Sequence, residues 1–195
     1  RTLELERGDS EDKEGNFRFR VNGRPIFVRC AEMVPAAFFL PRAQANEGYI
    51  LKAMAEGRNN MVRLTAAGGY GSDGLYDYCD RNGILVWQDL PFSEAMYPDG
   101  NAIRQRIQAE LGVQVTRLRT HPSLVVYAGI DGIETAWFAG RWRDRYDLEP
   151  ADSARIYEEY RNFFGMFIPG ILYRLDPDCL YLPGYSGSTQ TAFEP

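Results

Sequence analysis

The feature that most constrains the fold is a series of short apolar segments that alternate with longer amphipathic ones. Strands are predicted at 26–30, 61–65, 84–88, 124–127 and 180–183. Helical periodicity predicts helices at 47–56, 75–81, 102–119 and 153–175, the last opened by an Asp152-Ser153 capping signal. Apolar strands separated by helices are typical of a parallel sheet covered by helices. This α/β pattern leaves two architectures open, a doubly wound open sheet and a (β/α)8 barrel.

The start of the chain has a different pattern. Residues 1–6 alternate polar and apolar side chains, which predicts a strand, and the charged segment 8–16 predicts a turn or linker. Alternation returns at 17–21, and Asn22-Gly23 predicts a tight hairpin turn into residues 25–29. We therefore expect a boundary after the charged segment.

Composition limits the classes of partner. The 195 residues are 45% hydrophobic and 13% aromatic, which is enough to bury a core, and the net charge is -5. No cluster of Lys and Arg marks a surface for nucleic acid or anionic membrane, and no apolar run reaches the ~20 residues of a membrane span. We expect a soluble protein without either partner. Its compartment stays open, and removal of an upstream signal would make it periplasmic or secreted.

The sequence offers no motif for a cofactor or metal. Cys30, Cys79 and Cys179 are far apart and lack C-x-x-C spacing, so they predict neither a disulfide framework nor a zinc site. The one histidine, His121, precedes Pro122 and is predicted to be a structural turn residue. The glycine-rich loop after the second strand lacks the Gly-Lys-Ser/Thr ending of a phosphate-binding loop. We expect no cofactor and no metal.

Ionisable residues lie within or just after three of the predicted strands. In parallel α/β folds, ligands bind at the carboxyl ends of the strands. Glu32 follows the first strand and is either a site residue or an exposed loop acid. Arg63 lies inside the second strand, where a buried guanidinium requires a carboxylate partner. Asp131 follows the fourth strand, at a position that suits a general acid or a helix N-cap.

The end of the third strand and the segment after it contain residues that suit a sugar. Trp87 and Tyr97 offer aromatic faces for a pyranose ring, and Asp89 offers a carboxylate for its hydroxyl groups. The same residues are also compatible with a role in the core or in a turn. The residues alone therefore predict a site at this edge without fixing its ligand.

Several segments, in their order along the chain, resemble the catalytic barrel of family 2 glycoside hydrolases. Within that family they resemble the β-mannosidases most. The matching segments are Phe17-x-Phe19-x-Val21-Asn22-Gly23-x-Pro25-Ile26-Phe27, Asn60-Met61-Val62-Arg63, Tyr76-Asp77-x-Cys79-Asp80, Gly83-Ile84-Leu85-Val86-Trp87-Gln88-Asp89, Ala95-Met96-Tyr97-Pro98, Gln114-Val115-x-Arg117-Leu118-Arg119-x-His121-Pro122-Ser123 and Ile133-Glu134-x-Ala136-Trp137. The resemblance covers most of residues 17–183, and its block at 76–89 is the most specific part.

The resemblance implies a (β/α)8 TIM-type barrel of which about the first five strands are present. It also implies that residues 1–16 are the end of an upstream β-sandwich strand and its linker. Residues 17–195 are then the N-terminal part of the glycoside hydrolase barrel. About three further strands would be needed for a closed barrel.

The family's retaining mechanism uses two carboxyl groups ~5–5.5 Å apart, one as acid and one as nucleophile. The nucleophile comes from a later strand and has no counterpart in this chain. The acid is the Glu of Gly-Asn-Asn-Glu, which here is Gly129-Ile130-Asp131-Gly132. Gly132 therefore occupies the acid position, Asp131 is a possible replacement acid, and Arg63 would hold the nucleophile.

Other departures from the family pattern fall at the same strand ends. The family's Arg-Val-Trp is Arg63-Leu64-Thr65, which removes an aromatic ring, and its Tyr-Glu is Tyr70-Gly71. Glu32 and Ala37 stand where the family has Asn and Asp. The substrate-binding residues that the resemblance implies are Glu32, Tyr70, Trp87, Asp89 and Tyr97.

Three functions stay open for the parent protein, and its expected partner is a carbohydrate substrate. The first is an exo-acting, retaining β-glycosidase of the β-mannosidase type. The second is a catalytically silent glycan-binding or structural barrel, because Gly132 and Thr65 replace functional side chains. The third is an exo-β-glucosaminidase-like enzyme with Asp131 as the acid, since those enzymes carry Gly-Ser-Asp at this strand end.

The isolated chain is expected to be inactive, because an acid without its nucleophile cannot complete a double displacement. Its open strand edges and apolar inner face are expected to associate with the missing barrel half or with a second copy.

Overall fold

The computed structural model describes residues 2–7, 17–34, 40–92, 95, 97, 100–130, 137 and 141–184. Its strands are β1 Leu3–Arg7, β2 Phe17–Val21, β3 Arg24–Ile26, β4 Cys30–Met33, β5 Met61–Leu64, β6 Leu85–Asp89, β7 Leu124–Ile130 and β8 Leu180–Gly184. Its α-helices are α1 Leu40–Glu56, α2 Asp73–Asn82, α3 Asn101–Leu118, α4 Arg141–Arg145, α5 Pro150–Asn162 and α6 Ile168–Leu175. Within these ranges, no helix is both long and apolar enough to cross a bilayer.

Five strands form a parallel sheet in the order β4-β5-β6-β7-β8. The predicted α/β class with a parallel sheet is therefore confirmed. Each strand lies beside the one that follows it in the chain, without the reversal of order that defines a doubly wound sheet. Among the described residues the sheet is open, with β4 and β8 as its edge strands.

One face of this sheet packs against the helices. The central strand β6 is buried along its whole length, which explains the unbroken apolar run Leu85-Val86-Trp87 at its start. The core on this side includes Val62 and Val86 from the strands with Leu75, Leu111, Val115, Ile168 and Leu172 from the helices. Each such side chain contributes roughly 1.5–3 kcal/mol when it leaves water. This packing holds the strand ends in fixed relative positions.

The opposite face packs against a three-stranded antiparallel sheet, in the order β1-β2-β3. Asn22 and Gly23 have φ angles of 51° and 73°, as the predicted tight hairpin turn between β2 and β3 requires. Phe19 on β2 is 2% exposed, and its ring meets that of Trp87 edge-on with the ring centroids 6.4 Å apart. Strand β1 pairs with β2 from Leu3 opposite Val21 onward, while its origin in a β-sandwich stays a prediction.

The predicted strand at 26–30 is wrong. Strand β3 ends at Ile26 and β4 begins at Cys30, with a connection between them. The side chain of Asn60 explains this break, because its Oδ1 accepts the backbone N–H of Arg29 at 2.7 Å and its Nδ2 donates to the carbonyl of Phe27 at 2.8 Å. These bonds replace the ladder that a continuous strand would form.

Two predicted helix starts lie too late in the chain. Helix α1 begins at Leu40 rather than at residue 47, and α5 begins at Pro150 rather than at 153. Pro150 occupies the first turn, where a missing N–H costs nothing, and Glu149 rather than Asp152 is the N-cap. The helical run then continues to residue 175 through a π-helical turn at Phe163–Phe167.

A close contact joins this π-helical turn to the sheet. The hydroxyl of Tyr181 on β8 donates to the carbonyl of Phe164 at 2.9 Å. A Cβ atom at Gly129 on β7 would lie 2.5 Å from that hydroxyl and 2.5 Å from the carbonyl oxygen of Pro183. Only glycine fits there without movement of the backbone.

Replacement of Gly129 by Ala is therefore expected to lower the local free energy of opening of β7 and β8 by about 1–3 kcal/mol, as overpacking does. Amide hydrogen exchange in the parent protein measures this quantity. Gly112→Ala in α3 is the matched control, because a Cβ there meets nothing within 4 Å. An equal response of both variants would contradict the packing argument.

Candidate functional site

The strand register brings three of the predicted site residues into one row. Glu32 on β4 is paired with Arg63 on β5, and Arg63 is paired with Trp87 on β6. Partners in a parallel ladder point to the same face, and Asp89 lies on that face because it is two residues beyond Trp87. The row lies near the carboxyl ends of the strands, where the site was predicted.

A network of charged hydrogen bonds joins these side chains. Arg63 donates from Nη2 and Nε to Asp89 Oδ2 at 2.8 and 3.1 Å, and from Nη1 to Glu32 Oε1 at 2.6 Å. The prediction that a buried Arg63 needs a carboxylate partner is therefore confirmed, with one partner on each neighbouring strand. We call Glu32, Arg63, Trp87 and Asp89 the carboxyl-edge network.

Burial differs sharply along the carboxyl-edge network. The side chains of Asp89, Arg63 and Glu32 are 2%, 15% and 63% exposed. At the buried end, Trp87 Nε1 donates to Asp89 Oδ1 at 2.9 Å. The network thus runs from a buried aspartate that is held by an indole to an exposed glutamate. Of these four side chains, Glu32 is by far the most exposed to solvent.

The network is acidic, with two carboxylates for one guanidinium. Burial of Asp89 costs several kcal/mol unless a cation compensates it, so Arg63 is a structural necessity for Asp89. The pair of Arg63 with the exposed Glu32 adds little to stability, but it places the Glu32 carboxylate beside the guanidinium. Chemically, such a carboxylate can accept hydrogen bonds from hydroxyl or ammonium groups of a ligand.

The structure does not bring Tyr70 and Tyr97 into this network. Tyr70 packs on the helix side of the sheet, where burial and then the Glu110 carboxylate raise the pKa of its phenol above the ordinary value. Tyr97 also packs on the helix-side core, and its ring meets those of Phe92 and Phe164 edge-on. Asp131 and Gly132 lie outside the described residues. Sugar contacts by Tyr70 and Tyr97 stay predictions.

Gln88 is a supporting residue that the sequence analysis missed. Its side chain is fully buried, accepts a hydrogen bond from the Tyr76 hydroxyl and donates from Nε2 to the carbonyl of Gly69 at 2.9 Å. These bonds tie the loop after β5 to β6. The sequence does contain a signal for this role, a glutamine at the end of an apolar predicted strand. A buried side-chain amide needs hydrogen-bond partners, so such a glutamine predicts polar contacts with neighbouring elements.

The opposite edge of the sheet contains a group with donor atoms that suit a metal, Asp77, Asp80 and His121. Asp80 Oδ2 lies 2.7 Å from His121 Nδ1, and Asp80 Oδ1 accepts the backbone N–H of Ser123 at 2.8 Å. Burial raises the pKa of Asp80, but the bonds from Ser123 and His121 outweigh burial and hold it below its usual value. These contacts give Asp80 and His121 a structural role between α2 and the start of β7.

Comparison with known proteins identifies the relatives of the chain. β-Mannosidase A of Aspergillus fumigatus is 31% identical over 169 residues, which are 86% of this chain and 18% of that protein. β-Mannosidase B of Aspergillus flavus is 34% identical over 177 residues, which are 89% of this chain and 21% of that protein. A scan against models of protein families gives no match.

A solved structure shares the fold. The β-D-mannosidase of Dictyoglomus thermophilum superimposes with a TM-score of 0.80 at 31% identity, covering 94% of this chain and 22% of that one. The chain thus spans about a fifth of the length of the relatives that it matches. The likeness extends over nearly all of the chain, so it includes the strands that carry the network.

Replacement of Arg63 by Ala leaves the buried Asp89 carboxylate uncompensated, so we expect the free energy of unfolding to fall by about 3–5 kcal/mol. Amide hydrogen exchange of β5 and β6 in the parent protein measures the loss. The matched control is Arg155→Ala, because Arg155 pairs with Asp152 and Glu159 on the exposed surface of α5. A loss no larger than that of the control would contradict the assignment of Asp89 as a buried anion.

Proposed function

Because the chain is related to the β-mannosidases of glycoside hydrolase family 2, we propose that its parent protein is an exo-acting β-glycosidase. The observation that carries the proposal is the carboxyl-edge network, which spans three parallel strands at the edge where ligands bind in such folds. In this proposal the substrate is a β-linked sugar of the β-mannoside type. The network orients groups at the floor of its binding site.

The proposed catalytic fold is a closed (β/α)8 barrel. The sequential strand order supports it, and the edge strands β4 and β8 give the remaining strands places to pair. The chain by itself is proposed to be inactive, and its partner is the other part of the barrel or, in its absence, a second copy. Strands β1–β3 are proposed to close the amino-terminal end.

The proposed mechanism is retaining hydrolysis. A carboxylate from outside this chain attacks the anomeric carbon, an acid protonates the leaving oxygen, and water then releases the sugar from the glycosyl-enzyme. Asp131 is the proposed acid, because Gly132 has no side chain that could donate a proton. Arg63 is proposed to hold the nucleophile, and Glu32, the most exposed side chain of the carboxyl-edge network, is proposed to contact the sugar.

A second candidate substrate is a β-linked amino sugar. The specific observation in its favour is the excess negative charge of the carboxyl-edge network, in which Glu32 and Asp89 surround one guanidinium. An ammonium group beside Glu32 would be attracted by this charge, whereas a neutral sugar would not. A silent glycan-binding barrel is the alternative if neither kind of sugar is hydrolysed.

The test is the initial rate of hydrolysis of p-nitrophenyl β-mannoside and β-glucosaminide by the parent protein and by its Asp131→Ala variant. We expect turnover of at least one substrate and a loss of roughly 10²–10⁴-fold in the variant, as for removal of a general acid. Asp152→Ala, a change on the exposed surface of α5, is the control and should leave the rate unchanged. Absence of turnover on both substrates would favour the silent barrel, and an unchanged rate in the Asp131 variant would remove Asp131 as the acid.

A further inference from the structure

We propose that Asp89 is a positioning residue, which fixes the guanidinium of Arg63 and does not bind the sugar. This inference rests on the proposed function, in which Arg63 contacts the nucleophile. The first support is burial, because the side chain of Asp89 is only 2% exposed while that of Glu32 on the same face is 63% exposed. A ligand at the solvent side of the network reaches Glu32 before it reaches Asp89.

The second support is the direction of the hydrogen bonds. Asp89 receives N–H groups from both Nε and Nη2 of Arg63, which are adjacent donors on one edge of the planar guanidinium. A carboxylate on this edge fixes both the position and the plane of the group. Glu32 binds Nη1 from the strand on the other side. The guanidinium is therefore held from β4 and β6 at once.

The third support is the anchoring of Asp89 itself. Its Oδ1 accepts the indole N–H of Trp87 at 2.9 Å, and the Trp87 ring packs on Phe19. Trp87 and Asp89 lie on the same strand, so the indole and the carboxylate keep their relative position as β6 is held in the sheet. A long Arg side chain loses roughly 2 kcal/mol of rotamer entropy when it is fixed. The buried carboxylate stabilises that fixed state before any ligand binds, as preorganised sites require.

The test is Asp89→Asn in the parent protein, which keeps the volume but removes the charge and one acceptor. We expect kcat to fall roughly 10–100-fold with KM within about twofold, because an interaction realised only in the transition state is weakened. The control is Asp152→Asn, which removes the same kind of Asp–Arg pair on the surface of α5 and leaves both constants unchanged. A rise in KM with unchanged kcat would identify Asp89 as a sugar ligand and overturn the proposal.

A double-mutant cycle separates positioning from general stability. In an Arg63→Gln background, the further change Asp89→Asn is expected to lower kcat less than twofold, since the residue that Asp89 positions is already gone. If the loss stays 10–100-fold in that background, Asp89 does not act through Arg63 and the proposal fails.

A crystal structure of the Asp89→Asn parent protein provides a readout that needs no turnover. The guanidinium of Arg63 is expected to leave the position that it holds in the unchanged protein, while the β5 and β6 backbones superimpose. An unmoved guanidinium would overturn the proposal. Because this result does not depend on the sugar, absence of hydrolysis by the unchanged protein would refute the proposed function without deciding the role of Asp89.

Discussion

The buried carboxylate of Asp89 is the constraint on which the rest of the site depends. A carboxylate with 2% of its side chain exposed cannot remain charged at the end of a central strand unless a cation lies beside it. Arg63 meets that requirement from β5 and in turn donates a hydrogen bond to the Glu32 carboxylate on β4. The need to compensate the charge of Asp89 thus links side chains from three neighbouring strands.

The small antiparallel sheet has a direct connection to this requirement. Its Phe19 side chain packs on the Trp87 ring, and the Trp87 indole holds the carboxylate of Asp89. The apolar cluster around Phe19 also includes Met61 and Leu85, the first residues of β5 and β6. The hairpin therefore stabilises the amino-terminal half of the strands whose carboxyl ends carry the charged groups. Met61 and Leu85 share a face with Arg63 and Trp87, while the intervening Val62 and Val86 point to the helix side, as the twofold period of a β-strand dictates.

The sequence predicted the parallel sheet because the periodicity of its strands and helices reports local burial directly. It also predicted that Arg63 must have a carboxylate partner, since the cost of an unpaired buried charge does not depend on topology. The strand predicted at 26–30 was wrong because a distant side chain, Asn60, takes the backbone groups of residues 27 and 29. No pattern within the segment itself could report that contact. Tertiary contacts likewise decided that Tyr70 and Tyr97 pack toward the helices, because both residues lie in loops, where alternation does not fix side-chain direction.

The most direct measurement is a crystal structure of the parent protein with a bound glycosidase inhibitor that mimics a β-mannoside. We expect the inhibitor to lie at the carboxyl edge of β4–β6, within hydrogen-bond distance of Glu32. We also expect a carboxylate from outside this chain to contact Arg63. An inhibitor bound elsewhere, or an Arg63 that meets no carboxylate beyond Glu32 and Asp89, would contradict the assignment of the carboxyl-edge network to a glycosidase site.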